Sequence, residues 1–129
     1  MDYNKSLEVI NELLLELIEE NKSVPIIVEG DKDIEALRKL DITGIIISIN
    51  KGVNLSTFCD RISNEFESVI ILTDWDRRGG HLCKVIKKNL EGRVNCNIKY
   101  RELLAKNTTI RTVEGLPSWI ETIKDKIKN

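Results

Sequence analysis

Apolar residues recur along this chain with two periods. Leu7, Ile10, Leu14, Leu17 and Ile18 fall at helical spacing, so residues 4–22 predict an amphipathic helix. Four short β-branched runs follow: VPIIV (24–28), GIIISI (44–49), VIILT (69–73) and VNCNI (94–98). Each has the length and composition of a strand. Helix-period segments lie between them, lined by Ile34, Leu37 and Leu40, then by Leu55, Phe58, Cys59, Ile62 and Phe66, then by Leu82, Val85, Ile86 and Leu90. TTIRTV (108–113) is a candidate fifth strand, and Pro117 suits the first turn of a last helix carrying Ile120, Ile123 and Ile127. Strand and helix alternating through short links predict an α/β fold, a mainly parallel sheet of four to five strands between two helical layers. The runs around Ile46 and Ile71 are nearly all apolar, as strands buried on both faces are, whereas VNCNI alternates and suits a sheet edge.

Length and composition narrow the class. The 129 residues, 41% apolar and 32% charged, suit one domain over 1–129: a helix within 1–22, a core over 24–113 and a helix at 117–127. No run of about 18 apolar residues occurs, which argues against a membrane span. The start, MDYNKSLEVINE, lacks the basic and apolar order of a signal peptide. Three cysteines without a C-x-x-C pair argue against a disulfide scaffold or a cysteine zinc site, and they read as small core hydrophobes. One histidine excludes a multi-histidine metal cluster. The expectation is a cytoplasmic protein.

Charge changes the picture, because a formal net charge of −1 hides a split. Residues 1–76 hold 7 basic against 16 acidic residues, while residues 77–129 hold 13 against 5. A basic half of this kind suits contact with a polyanion, although solvated helix faces explain it equally well.

In an open parallel sheet, ligands bind beyond the carboxyl ends of the strands. The residues there are Glu29-Gly30-Asp31-Lys32-Asp33, Asn50-Lys51-Gly52, Asp74-Trp75-Asp76-Arg77-Arg78-Gly79-Gly80 and Glu114-Gly115. Clustered carboxylates repel unless a cation or a proton is shared, and Mg²⁺ (or Mn²⁺) is the hard cation that suits them. Each acid also has a plainer use. Asp33 fits a helix cap better than a metal ligand. Asp74 and Asp76 could form a turn, and only Glu29 caps nothing obvious. Gly30, Gly52 and Gly79 suit structural turns. Lys51, Arg77 and Arg78 are candidate phosphate ligands, with loop solvation or pairing to the neighbouring acids as the alternative. Trp75 suits packing against the sheet edge better than stacking on a base, and His81 suits a structural role.

The two strand ends I-I-V-E-G-D-K-D (26–33) and I-I-L-T-D-W-D-R-R-G (70–79) together resemble the Toprim domain. That module is shared by topoisomerases, bacterial primases, small nucleases, a recombination protein and a ribosomal-RNA maturase. The chain is similar in particular to the short stand-alone Toprim proteins of archaea and some bacteria. The resemblance implies a three-layer, Rossmann-like α/β/α fold. It also implies Glu29 as general acid or base and metal ligand, and Asp74 and Asp76 as Mg²⁺ ligands. A third acid common in the family is replaced here by Arg78, which bears against a second metal. The winged-helix nucleophile domain of topoisomerases has no counterpart, so neither Tyr3 nor Tyr100 suits strand breakage. The function implied is Mg²⁺-dependent phosphodiester chemistry on RNA or DNA by a small nuclease. The alternative is a nucleic-acid-binding, ribosome- or repair-associated module without turnover, with a protein as partner. Two other D-x-D or strand-end acid readings, a haloacid-dehalogenase-type phosphatase and a phosphoacceptor receiver, fit the order of the acids poorly.

Overall fold

A computed structural model describes residues 1–49, 52 and 54–128. In chain order the elements are α1 (Tyr3–Asn21), β1 (Ile26–Val28), α2 (Asp31–Lys39), β2 (Ile46–Ser48), α3 (Leu55–Glu65), β3 (Ser68–Ile71), α4 (Arg77–Leu90), β4 (Asn95–Asn97), α5 (Lys99–Asn107) and α6 (Leu116–Lys128). Polar caps start three of the helices. Asp2 accepts the Lys5 N–H at the head of α1, Asn54 accepts that of Ser56 before α3, and Asp76 accepts that of Gly79 before α4.

The four strands are all parallel in the order β2-β1-β3-β4. Side chains alternate across the central strands, as the pleat requires. Ile26, Val28, Ile70 and Leu72 face a core shared with α1, α2, α5 and α6. Ile27, Val69 and Ile71 face a second core shared with α3 and α4. The result is the expected three-layer α/β/α arrangement. Among the described residues no helix is long and apolar enough to cross a membrane.

The strand order creates a crevice. The connection from β1 runs outward through α2 to β2, and that from β3 runs outward the opposite way through α4 to β4. Crossovers share one hand, so reversing direction puts α2 and α4 on opposite faces. The carboxyl ends of β1 and β3 therefore flank the point where the order reverses, and helices leave it open.

Two expectations need correction, and one helix went unforeseen. TTIRTV (108–113) joins no strand; it runs from α5 to α6 and bonds to the segment after β3. GIIISI, expected to be buried on both faces, forms the half-buried edge strand β2, because apolar content alone does not set strand order. Residues 99–107 form α5, which had no strong periodic signal: its buried side chains are Tyr100 and Leu104. VNCNI lies at the other edge, as its alternation suggested.

Candidate active site at the carboxyl edge

Glu29 leaves β1 and Asp74 follows β3, so the two meet at the crevice. The Asp74 backbone N–H donates to Glu29 Oε2 at 2.8 Å. Asp74 itself is held on three sides. Its Oδ1 accepts the Val113 N–H at 2.8 Å. Its backbone carbonyl accepts two hydrogen bonds from the Arg101 guanidinium, at 3.2 Å from Nε and 2.9 Å from Nη2. The first turn of α4 lies against the same carbonyl so closely that a Cβ at Gly79 would collide with it. Gly79 is thus a close-approach glycine within a helix, not a turn residue. The Thr73 hydroxyl, buried, ties this contact by donating to the Gly79 carbonyl at 2.8 Å.

The remaining predicted residues divide. Asp76 caps α4, its Oδ1 accepting the Gly79 N–H at 2.7 Å, and is not among the residues lining the cleft that holds Glu29 and Asp74. Asp33 reaches back from the first turn of α2 to accept the Gly30 N–H at 3.1 Å, the capping role expected of it. Gly30 is in extended backbone with open space where a Cβ would stand, so it needs no glycine for a turn. Gly52, at φ +87°, does occupy the left-handed region. Arg78 lines the cleft; Arg77, next to it, faces the other side of α4. Lys51 lies outside the described residues. Trp75 packs against the core with its indole N–H donating to the Ile110 carbonyl, which leaves base stacking without support. Tyr100 is buried and its hydroxyl donates to Glu20 at 2.6 Å, which with burial pushes its pKa up and bears against a nucleophilic role. Cys59 and Cys83 are buried and Cys96 half-buried, with burial raising each thiol pKa.

The cleft measures about 550 Å³ and brings Glu29, Asp31, Asp33, Asp74 and Glu114 opposite Lys32 and Arg78. Burial pushes the Asp74 carboxyl up to about 6, helped by the charges of Glu29, Asp76 and Glu114 and opposed by the Val113 N–H. Asp33 is raised as well, first by burial and then by Asp74. A positive ion would relieve this repulsion. Among the described residues no three His, Cys, Asp or Glu side chains converge as a ready-made cage. The donor set still suits Mg²⁺, which takes one or two carboxylates and completes its shell with water and phosphate. Glu29, Asp74 and Asp76 each have one oxygen pinned by a backbone N–H and the second without a hydrogen bond among the described residues.

Two contributors escaped the sequence reading. Arg101 sits on the unforeseen helix α5, and nothing in its surroundings along the chain distinguishes it. The Val113 N–H is a backbone donor that only the path of residues 108–113 brings to Asp74.

A family model described as Toprim domain matches residues 24–111. The chain is 42% identical over 107 residues to a UPF0292 protein of Thermoplasma volcanium, covering 82% of this chain and 90% of that one. It is 38% identical over 121 residues to a UPF0292 protein of Methanocaldococcus jannaschii, covering 92% and 91%. A solved structure of a protein from Aquifex aeolicus superposes with a TM-score of 0.70 at 27% identity, covering 81% of this chain and 94% of that one.

Proposed function

This chain belongs to the Toprim domain family, similar throughout to short archaeal relatives, and from that premise we propose that it hydrolyses phosphodiester bonds in RNA or DNA with Mg²⁺ or Mn²⁺. The observation that carries the reading is the pinning of Glu29, Asp74 and Asp76 by one oxygen each at the reversal of strand order. Backbone N–H groups fix the three carboxylates in orientation and leave their second oxygens for a ligand.

Placement supports the following roles. Asp74 and Asp76 hold the metal. When bound, such an ion supplies charge neutralisation at the phosphate and acidifies a coordinated water. Glu29 Oε1 accepts the proton of the attacking water or returns one to the leaving oxygen, while its Oε2 stays on the Asp74 N–H. Arg78 on the cleft wall holds the phosphate by charge-assisted hydrogen bonds. Water is the simplest attacker, since the Tyr100 hydroxyl is committed to Glu20.

A screen of single- and double-stranded RNA and DNA with added Mg²⁺ or Mn²⁺, run for wild type and Glu29→Gln, tests this. The expected result is metal-dependent cleavage that falls by about 10²–10⁴-fold in the variant while affinity for the substrate holds. Cleavage that is equal in both proteins would remove Glu29 from the chemistry. Binding with no cleavage of any substrate would leave a nucleic-acid-binding module.

A further inference from the structure

We propose that the cleft between α4 and α5 holds the backbone phosphates of the nucleic-acid strand, next to the phosphate that enters the acidic cleft; this rests on the reading that the acidic cleft acts on nucleic acid. The second cleft measures about 540 Å³. Arg77, His81, Lys84 and Lys87 of α4 wall it on one side and Arg101 of α5 on the other, with Glu102 as the acid among its described walls.

The α4 cations of this cleft form no ion pair among the described residues. Arg77, His81 and Lys84 stand at i, i+4 and i+7, and Lys88 at i+11, so they form one stripe along α4. Like charges at such spacing destabilise a helix slightly. Arg77, His81, Lys84, Lys87 and Lys88 are all exposed, and α4 packs through its other face by Gly79, Cys83, Ile86 and Leu90. The ion pairs among the described residues lie elsewhere, at Lys22–Glu19, Arg93–Asp60, Lys99–Glu16 and Lys124–Glu121. The stripe therefore awaits an anion from outside.

Placement selects the anion. Both clefts open at the carboxyl edge of the sheet and share α4 as a wall, with Arg78 and Leu82 facing the acidic cleft and Arg77 and His81 the basic one. Arg101 links them, because the guanidinium that lines the basic cleft also holds the Asp74 carbonyl. A ligand must then offer several regularly spaced negative charges and a reactive phosphodiester beside them. The rise from Arg77 to Lys87 is ~15 Å, a few nucleotides of strand. No Phe, Tyr or Trp side chain lines the basic cleft among the described residues, so the contacts go mainly to phosphates and carry little sequence preference.

Fluorescence anisotropy of the full chain with a labelled single-stranded oligonucleotide of mixed sequence, in EDTA and over a salt series, tests this. Lys84→Glu combined with Lys87→Glu is expected to weaken binding by at least about tenfold and to lower the salt slope by about 1.4, two phosphate contacts' worth. Lys124→Glu combined with Lys126→Glu, exposed on α6 and outside both clefts, is expected to bind like wild type. If the reversal does not fold, Lys84→Gln with Lys87→Gln reads the same contacts through a smaller loss. Wild-type affinity and slope in the folded variant would overturn the inference. So would absent or salt-indifferent binding by wild type, or equal competition by a polyglutamate peptide. The expected binding with no metal-dependent cleavage would sustain this cleft while ending the nuclease reading.

Discussion

Asp74 donates its backbone N–H to the Glu29 carboxylate at 2.8 Å, joining residues 45 positions apart at the ends of the two central strands. The bond points one acid at the backbone of the next. It holds the two side chains near one another, so the Glu29 charge adds to the cost of ionising Asp74. Burial first, and then the charges of Glu29, Asp76 and Glu114, carry the Asp74 pKa to about 6.

Stability should therefore depend on pH through Asp74. Its folded pKa, about 6, lies above its ordinary value of 3.8. The folded state then holds the extra proton between those values, so the stability this group contributes is fully present below pH ~4 and is lost as pH rises through ~6. Asp74→Asn keeps an oxygen for the Val113 N–H and removes the charge. Chemical denaturation is expected to show the variant gaining on wild type by about 1–2 kcal/mol between pH 4 and pH 7, allowing for solvent screening of a half-exposed group. A constant difference across that range would refute the assignment.

Metal binding should release a proton at pH 6. Mg²⁺ needs the ionised Asp74, and at pH near 6 about half of the molecules carry that proton. Calorimetric titration in buffers of different ionisation enthalpy is expected to show about half a proton released at pH 6 and little at pH 8. Asp74→Asn plus Asp76→Asn is expected to abolish the Mg²⁺ signal. Retained binding by that pair would move the metal elsewhere.

Gly79→Ala should damage both stability and site. Alanine is the better helix former by about 1 kcal/mol, yet its Cβ would collide with the Asp74 carbonyl, and backbone does not swing aside. The net expectation is a loss of about 2 kcal/mol or more, with weaker Mg²⁺ binding because Asp74 is displaced. Gly30→Ala meets open space and should change stability by less than about 0.5 kcal/mol. Thermal and denaturant melts of the two variants check the contrast.

Asn21 ties the end of α1 to the approach of β2. Buried, it donates to the Val24 and Ile45 carbonyls at 3.0 Å each and accepts the Gly44 N–H at 2.8 Å. Asn21→Ala strands three backbone groups and is expected to cost about 3 kcal/mol, seen as a lower urea midpoint with an unchanged slope. A loss below about 1 kcal/mol would mean that water replaces the amide.

The helices lined by Leu37, Phe58 and Ile86, the four strand runs and the α/β class were legible along the chain, because side-chain period and β-branched composition are local properties. The candidate carboxylates were legible too: Glu29, Asp74 and Asp76 follow strand runs, and parallel strands deliver their ends to one edge. Strand order was not, since apolar content suggested GIIISI buried on both faces while pairing put β2 at an edge. Helix α5 and the path of 108–113 were also decided by packing. Tyr100 and Leu104 gain their place from the core they enter, and residues 110–113 satisfy their backbone groups on the Asp74–Trp75 segment. Arg101, the Val113 N–H and the collision that reserves position 79 for glycine follow from that packing. Each joins an atom near Asp74 to a partner that the chain presents there only after the layers close, and no local pattern of residues encodes such a meeting.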